Sequence, residues 1–498
     1  MSQLLQTKSI DQLVAQAEAP ERRLRKSLGP WSLTALGVGA VIGTGIFVLT
    51  GTAAAGETVA IPSLLKAPVL DLLLHGRRAV STIGRPGAGP GIALSYLLTA
   101  IACGFAALCY AELASMIPIA GSAYTYAYAT LGEIFAWIIG WDLILEYAIG
   151  NTAVAVGFSG YFNDLLQNLL GVCLPLRWST PPIAGGAYTG SWFNVPATLV
   201  MFALTVLLVS GVREGARANA VMVGVKVTAI LVFVFGAARA VRTEHWHPFL
   251  PNGFQGVLTG AAIVFFSYIG FDSISTAAEE CKRPQRDLPL GIIATLAICA
   301  VLYVAVALVL TGIADWRTLN NAAPVANALK PLGMEQVRRW VGIGAMAGML
   351  SVLLVFQYGQ ARIWFAMSRD GLLPPVFSRI HPRFQTPHVS TWIAGVAAGV
   401  PAGIWDIGTF ADLTNIGTLF AFVVVSAGVI LLRRRQPERR RAFRVPWVPL
   451  LPLVSAGSCL VLMASLPLET WIRFFVWLTI GLGIYLLYGR RHSQFAGK

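Results

Sequence analysis

Gly39-Ala40-Val41-Ile42-Gly43-Thr44-Gly45-Ile46-Phe47 and Phe265-Phe266-Ser267-Tyr268-Ile269-Gly270-Phe271-Asp272 each set glycine and polar residues inside a run apolar enough to cross a bilayer. Lipid cannot hydrogen-bond a backbone N–H or C=O, so a helix breaks at that depth only where protein or a polar cavity receives the freed groups. A break bares N–H groups on the restarting half-helix and C=O groups on the stopping half. At Gly43-Thr44-Gly45 the bare N–H groups and the positive end of the half-helix suit a carboxylate. Glycine there lets a ligand approach the backbone closely. The carbonyls around Phe266, Ser267 and Ile269 suit an ammonium group, so the two breaks together match an α-amino acid. Close helix packing through small residues is the competing explanation for one such cluster. Two clusters at corresponding places in the two halves point instead to a transporter's binding site.

The bulk composition agrees. Of 498 residues, 56% are hydrophobic and 12% charged, and the mean hydropathy is +0.68. A soluble domain carries roughly twice that charged fraction, so most of the chain must lie in hydrocarbon. The net charge of +14 falls in short basic runs between apolar stretches. That pattern marks topology, not a basic face with base-stacking aromatics, and it argues against nucleic acid. The six cysteines show no metal-ligand spacing. The polar N-terminus lacks the apolar core of a signal peptide.

Apolar runs of about 20 residues predict about twelve spans, near 31–56, 91–117, 134–158, 194–211, 217–241, 256–280, 288–313, 340–367, 389–405, 410–432, 447–466 and 470–489. The fold class expected is an all-α integral membrane protein with discontinuous helices 1 and 6. Because the breaks open spans 1 and 6, residues 31–241 and 255–433 read as two five-helix repeats, inverted by their odd span number. Residues 447–489 add two helices, and 1–30 and 490–498 are tails. Most of the 37 lysines and arginines fall on the side of the N-terminus, which predicts cytoplasmic termini. The run from Arg433 to Arg444 reads as a topology anchor that also suits anionic lipid.

At this point the residues resemble the amino acid–polyamine–organocation transporters, and within them the cationic amino acid transporter family. The similarity runs from about Leu28 to Tyr488. Beyond the first break, it rests on the stretch Pro118 to Tyr128, Trp141 to Tyr147, Phe271 to Glu280, Arg286 to Pro289, Gln360 to Pro374 and Asp412 to Leu419. The resemblance implies a five-plus-five inverted-repeat fold, alternating access, and proton-driven uptake or exchange of amino acids across the plasma (inner) membrane. It implies that Ile42, Gly43, Thr44 and Gly45 hold the substrate carboxylate, that Phe266, Ser267 and Ile269 hold the amine, and that Phe271 closes above it. Three departures stand out: Ser267 where alanine is common, Arg283 where asparagine is frequent, and an extracytoplasmic insertion over 57–90. Within that insertion, Leu64 to His75 reads as a surface helix interrupted by Pro68.

Charges inside the spans complete the set of candidates. Lys226 lies within span 5, where a lysine is costly unless functional. The resemblance places it where a cation sits in sodium-coupled relatives, which makes it the proton-coupling candidate. Snorkelling to the cytoplasmic edge is the alternative. Glu146, one turn from Asp142 on span 3, is expected to read a cationic side chain, or else to be a protonated glutamate bonded between helices. Arg362 with Asp370, and Glu279 and Glu280 with Lys282, look like cytoplasmic gate or topology pairs. All six histidines lie in loops or tails, and no H-E-x-x-H motif occurs, so an enzyme is not expected. Amino acid substrate, protons and membrane lipids are the implied partners, and a small membrane subunit is left open. No cofactor or metal is called for. Polyamine exchange and a non-transporting amino acid receptor are the alternatives carried forward.

Overall fold

The computed structural model describes residues 3–11, 28–57, 63–76, 84–119, 121–184, 187–210, 215–382, 384 and 386–495. Much of the 1–30 tail, part of the insertion including Arg77 and Arg78, and the side chains of Glu279 and Glu280 lie outside the described residues.

Helices fall on all twelve predicted segments, and the chain is an all-α multi-pass membrane protein. Among the described residues, eight helices are long and apolar enough to cross a membrane, and the bent pair Pro30–Val41 and Gly45–Ala55 makes a ninth. Val195–Ser210 and Leu450–Ala464 are shorter apolar helices. His388–Ala402, of 15 residues, occupies the ninth segment. Span 3 is longer than its sequence reading, running Glu133–Leu170 until Gly171 turns left-handed at φ 67°. Its last turns carry Asn163, Asp164 and Gln167, which suit water better than lipid.

The helix contacts show a regular pattern. Span 2 packs on span 7, span 3 on span 8, and span 4 on span 9. Span 3 also packs on span 10, while span 5 packs on span 8. The first half-helix of span 1 lies against span 7, and the first half of span 6 lies against span 2. Exchanging each span n with span n+5 turns this set of pairs into itself.

Small antiparallel ladders stiffen the loops. Gly56–Glu57 (β1) pairs with Arg85–Pro86 (β2), bringing Glu57 opposite Arg85 at the end of span 1. In the insertion Pro68 does not interrupt a helix. It caps one, Val69–His75, after a tight turn at Leu64–Lys66.

At the other side, Glu112 near the end of span 2 is fully buried. It accepts Arg433 Nε at 2.9 Å and the Val445 N–H at 2.7 Å, and Arg441 Nε lies 3.2 Å away. Part of the basic run is therefore spent on an internal carboxylate that clamps span 10 to span 2. Glu112→Ala should leave Arg441 buried without its partner and destabilise the protein by about 2 kcal/mol. Thermal unfolding of the detergent-solubilised protein measures this, and an unchanged midpoint would assign the run to lipid alone.

Candidate functional site

The first span stops at Val41, where Ile42 becomes extended (ψ 104°), and restarts as a wide π-helical turn at Gly45–Leu49. The halves are bent by 45°. Among the described residues, the N–H groups of Gly43, Thr44, Gly45 and Ile46 meet no backbone carbonyl, as the start of a helix requires. Span 6 runs Gly253–Val264 and tightens to a 3-10 turn at Phe265–Tyr268. It then breaks at extended Ile269 and at Gly270 (φ 115°), and resumes at Phe271.

The two breaks touch backbone to backbone. A Cβ on Gly45 would sit 2.4 Å from Ser267 Cα, and one on Gly270 would sit 3.0 Å from Ala40 O. Glycine at these positions is thus a condition of contact, and at Gly270 of backbone angle as well.

Side chains from elsewhere satisfy the bared carbonyls. Lys226 is fully buried, and its Nζ donates to Gly39 O at 2.6 Å and to Ile42 O at 2.8 Å. It does not snorkel. Space for it is left by Gly348, where a Cβ would stand 3.3 Å from Lys226 Cδ. The Tyr303 hydroxyl on span 7 lies 3.1 Å from Val41 O and 2.7 Å from Ser267 O, so a single donor bridges the two breaks. Ser351 Oγ stands 3.1 Å from Gly39 O and 2.6 Å from Asn219 Oδ1.

All the sequence-predicted break residues are buried together. Phe266 O accepts the Ile269 N–H at 3.3 Å, and Ser267 O faces Tyr303. Each carbonyl keeps a second lone pair. Ser267 Oγ lies 3.3 Å from Tyr96 OH, which is 2.6 Å from Thr50 Oγ1. Thr44 Oγ1 donates to Val154 O of span 3 at 3.4 Å. Phe271 is enclosed by Tyr110 and Phe422 at ring distances of 5.8 and 5.1 Å.

Glu146 is buried on span 3, and its Oε2 has no hydrogen-bond partner among the described residues. The same is true of both Asp142 oxygens and of Asp272 Oδ1. Asp142 Oδ1 faces Gly417 of span 10. Asp272 Oδ2 accepts Ser122 Oγ at 3.3 Å.

Ion pairs stand at both ends of the molecule. On the N-terminal side Asp370 binds Lys8 at 2.7 Å and the Tyr124 hydroxyl at 2.7 Å. The sequence reading put Arg362 beside Asp370, but Arg362 lies over the Tyr358 ring at 3.9 Å. On the opposite side Arg85 makes a two-point contact with Asp412, at 2.9 and 2.8 Å, and a third bond to Glu57 at 2.8 Å. Burial works against the charge of Arg85, but Asp412 and Glu57 outweigh it and hold the guanidinium above the usual arginine range.

Discontinuous membrane helices whose bare ends meet at a buried polar centre define a membrane transport protein, not an enzyme. Comparison with known proteins gives the group. Residues 28–485 match the model of the family described as amino acid permease, and the chain belongs to that family. It is 45% identical to the branched-chain amino acid permease BcaP of Bacillus subtilis (strain 168), over 98% of both chains. It is 44% identical to the methylthioribose transporter of the same organism over 99% of both. A chloroplastic cationic amino acid transporter of Arabidopsis thaliana is 35% identical, over 95% of this chain and 89% of its own.

The contact between the breaks makes a direct prediction. Gly45→Ala should force the spans apart and lower uptake by roughly ten-fold or more, as a small misplacement at a site can. Gly224, on span 5, has open space where a Cβ would go. Gly224→Ala should be neutral or stabilising by about 0.5–1 kcal/mol. Uptake and unfolding measured on both variants check the pair, and equal activity of the two would remove the contact's role.

Proposed function

We propose that this chain is a secondary active transporter that takes up cationic or neutral L-amino acids with protons, by alternating access. In this reading the substrate carboxylate binds the bare N–H groups at Gly43, Thr44 and Gly45. The α-amine binds the carbonyls at Phe266, Ser267 and Ile269. Residues 31–241 and 255–433 act as two inverted repeats, which the n to n+5 pairing of helix contacts supports. The protein lies in the plasma membrane with both termini cytoplasmic, as the distribution of basic residues supports.

The observation that carries the reading is the pair of bonds from Lys226 to Gly39 O and Ile42 O. An ammonium at the carbonyl end of a half-helix also complements its dipole. Charge-assisted hydrogen bonds are about twice as strong as neutral ones, so proton loss from Lys226 loosens the first half-helix from span 5. Movement of span 1 is then linked to the proton.

Glu146 supplies the side-chain end. A buried carboxylate oxygen without a donor is costly until it gains a proton or a cation. A lysine or arginine side chain provides the second. The similarity to a methylthioribose transporter favours one other reading, an uncharged thiosugar that would leave the half-helix N–H groups without an anion. Uptake into proteoliposomes under an imposed pH gradient, with all twenty amino acids and methylthioribose as competitors, separates the two. Competition by methylthioribose alone would overturn the amino acid reading.

Lys226→Met should abolish pH-dependent accumulation, lowering uphill uptake by roughly ten-fold or more, while exchange down a gradient persists. Retained uphill uptake would remove the coupling role. Glu146→Gln should weaken arginine and lysine as competitors relative to alanine by on the order of ten-fold, as losing one buried charge pair does. An unchanged preference would leave Glu146 structural.

A further inference from the structure

The Arg85–Asp412 contact lies against a cavity of about 220 Å³ at the end of span 1. Leu49 and Thr52 of span 1 line it, with Asn320 and the ion pair Lys66–Glu469. Arg85 is held on β2 by the ladder to β1, and Asp412 belongs to the helix Ile407–Arg435 of span 10. The bond therefore ties the insertion after span 1 to span 10, beside a cavity that reaches Leu49, the last residue of the turn that restarts at Gly45. Both partners are buried, Arg85 4% and Asp412 6% exposed.

Widening this cavity toward Gly45 by separating the pair alone would strand a buried guanidinium and a buried carboxylate, which is strongly unfavourable. An α-amino acid removes that obstacle. Its carboxylate and ammonium hang on one carbon, close enough to replace both halves of a contact ion pair. The carboxylate fits the two-point fork of Arg85, and the ammonium fits Asp412 and Glu57. We propose that the cavity is an entry site for zwitterionic amino acids, where the substrate opens the clasp by exchanging partners with Arg85 and Asp412. The inference rests on the amino acid transporter reading and on the face of the insertion being the outer one. It adds a site distinct from the two helix breaks, and it makes entry selective for a solute carrying both charges.

The test uses Thr52→Cys as reporter in a Cys173→Ser background, because the other five cysteines are buried. A membrane-impermeant thiol reagent is applied from outside to proteoliposomes, with and without the transported amino acid. Arg85→Gln and Asp412→Asn should each raise labelling several-fold. Amino acid should raise labelling of the parent and add nothing in the two variants. Arg85→Lys keeps the charge but loses the fork, so its labelling should fall between. Arg85→Gln should also raise the KM for uptake from outside by on the order of ten-fold, with binding to the solubilised protein at the central site unchanged. Labelling of both variants at the parent rate, or an unchanged KM in Arg85→Gln, overturns the entry site while leaving the transporter reading intact. Absence of amino acid uptake by the parent protein overturns the transporter reading and the entry site with it. Loss of central-site binding together with the raised KM assigns Arg85 to folding and also overturns the entry site.

Discussion

A helix that stops in hydrocarbon must find donors for its last carbonyls, and this requirement organises the centre of the molecule. The carbonyls of Gly39, Val41 and Ile42 are met by Lys226 from span 5, Tyr303 from span 7 and Ser351 from span 8. Three spans are thereby fastened to a single break. The N–H groups at Gly43–Ile46 meet no backbone carbonyl among the described residues, so the two ends of the break differ: the carbonyl end is matched by protein donors and the N–H end is bare.

Buried charge is handled in two different ways, and the contrast separates framework from function. Glu112 is fully matched, with each carboxylate oxygen holding a donor. Asp142, Glu146 and Asp272 carry oxygens with no donor among the described residues. Buried carboxylate oxygens without donors are a poor way to stabilise a fold. These three residues lie on two elements, spans 3 and 6, the second of which carries a break.

How much of this was legible in the sequence depended on how local the signal was. Glycine and serine inside an apolar run are visible as letters, so both breaks fall within the stretches that the sequence marks. Lys226 stood out for the same reason, as a charge where none is cheap. Tyr303 did not, because a tyrosine in a long apolar helix reads as packing, and its bonds reach partners 262 and 36 residues away. A lysine in a polar tail, such as Lys8, carries no local sign of a partner, and Arg362 lies nearer Asp370 in the chain. Arg85 was lost in the same way, counted as one positive charge of an insertion. Its partner Asp412 stood in a family motif, yet nothing local joins residues 327 apart.

The placement of the two terminal clasps follows from the same electrostatics. A contact that must break in every cycle cannot be a large apolar interface, because each opening would expose that area to water. A buried ion pair beside a polar cavity leaves instead two charges that a partner carrying both signs can satisfy. Arg85–Asp412 is of this kind, and both it and Lys8–Asp370 join a residue of the first half of the chain to one of the second. In the chain, charged contacts therefore stand on either side of span 1, and Lys226 meets the carbonyls at its break.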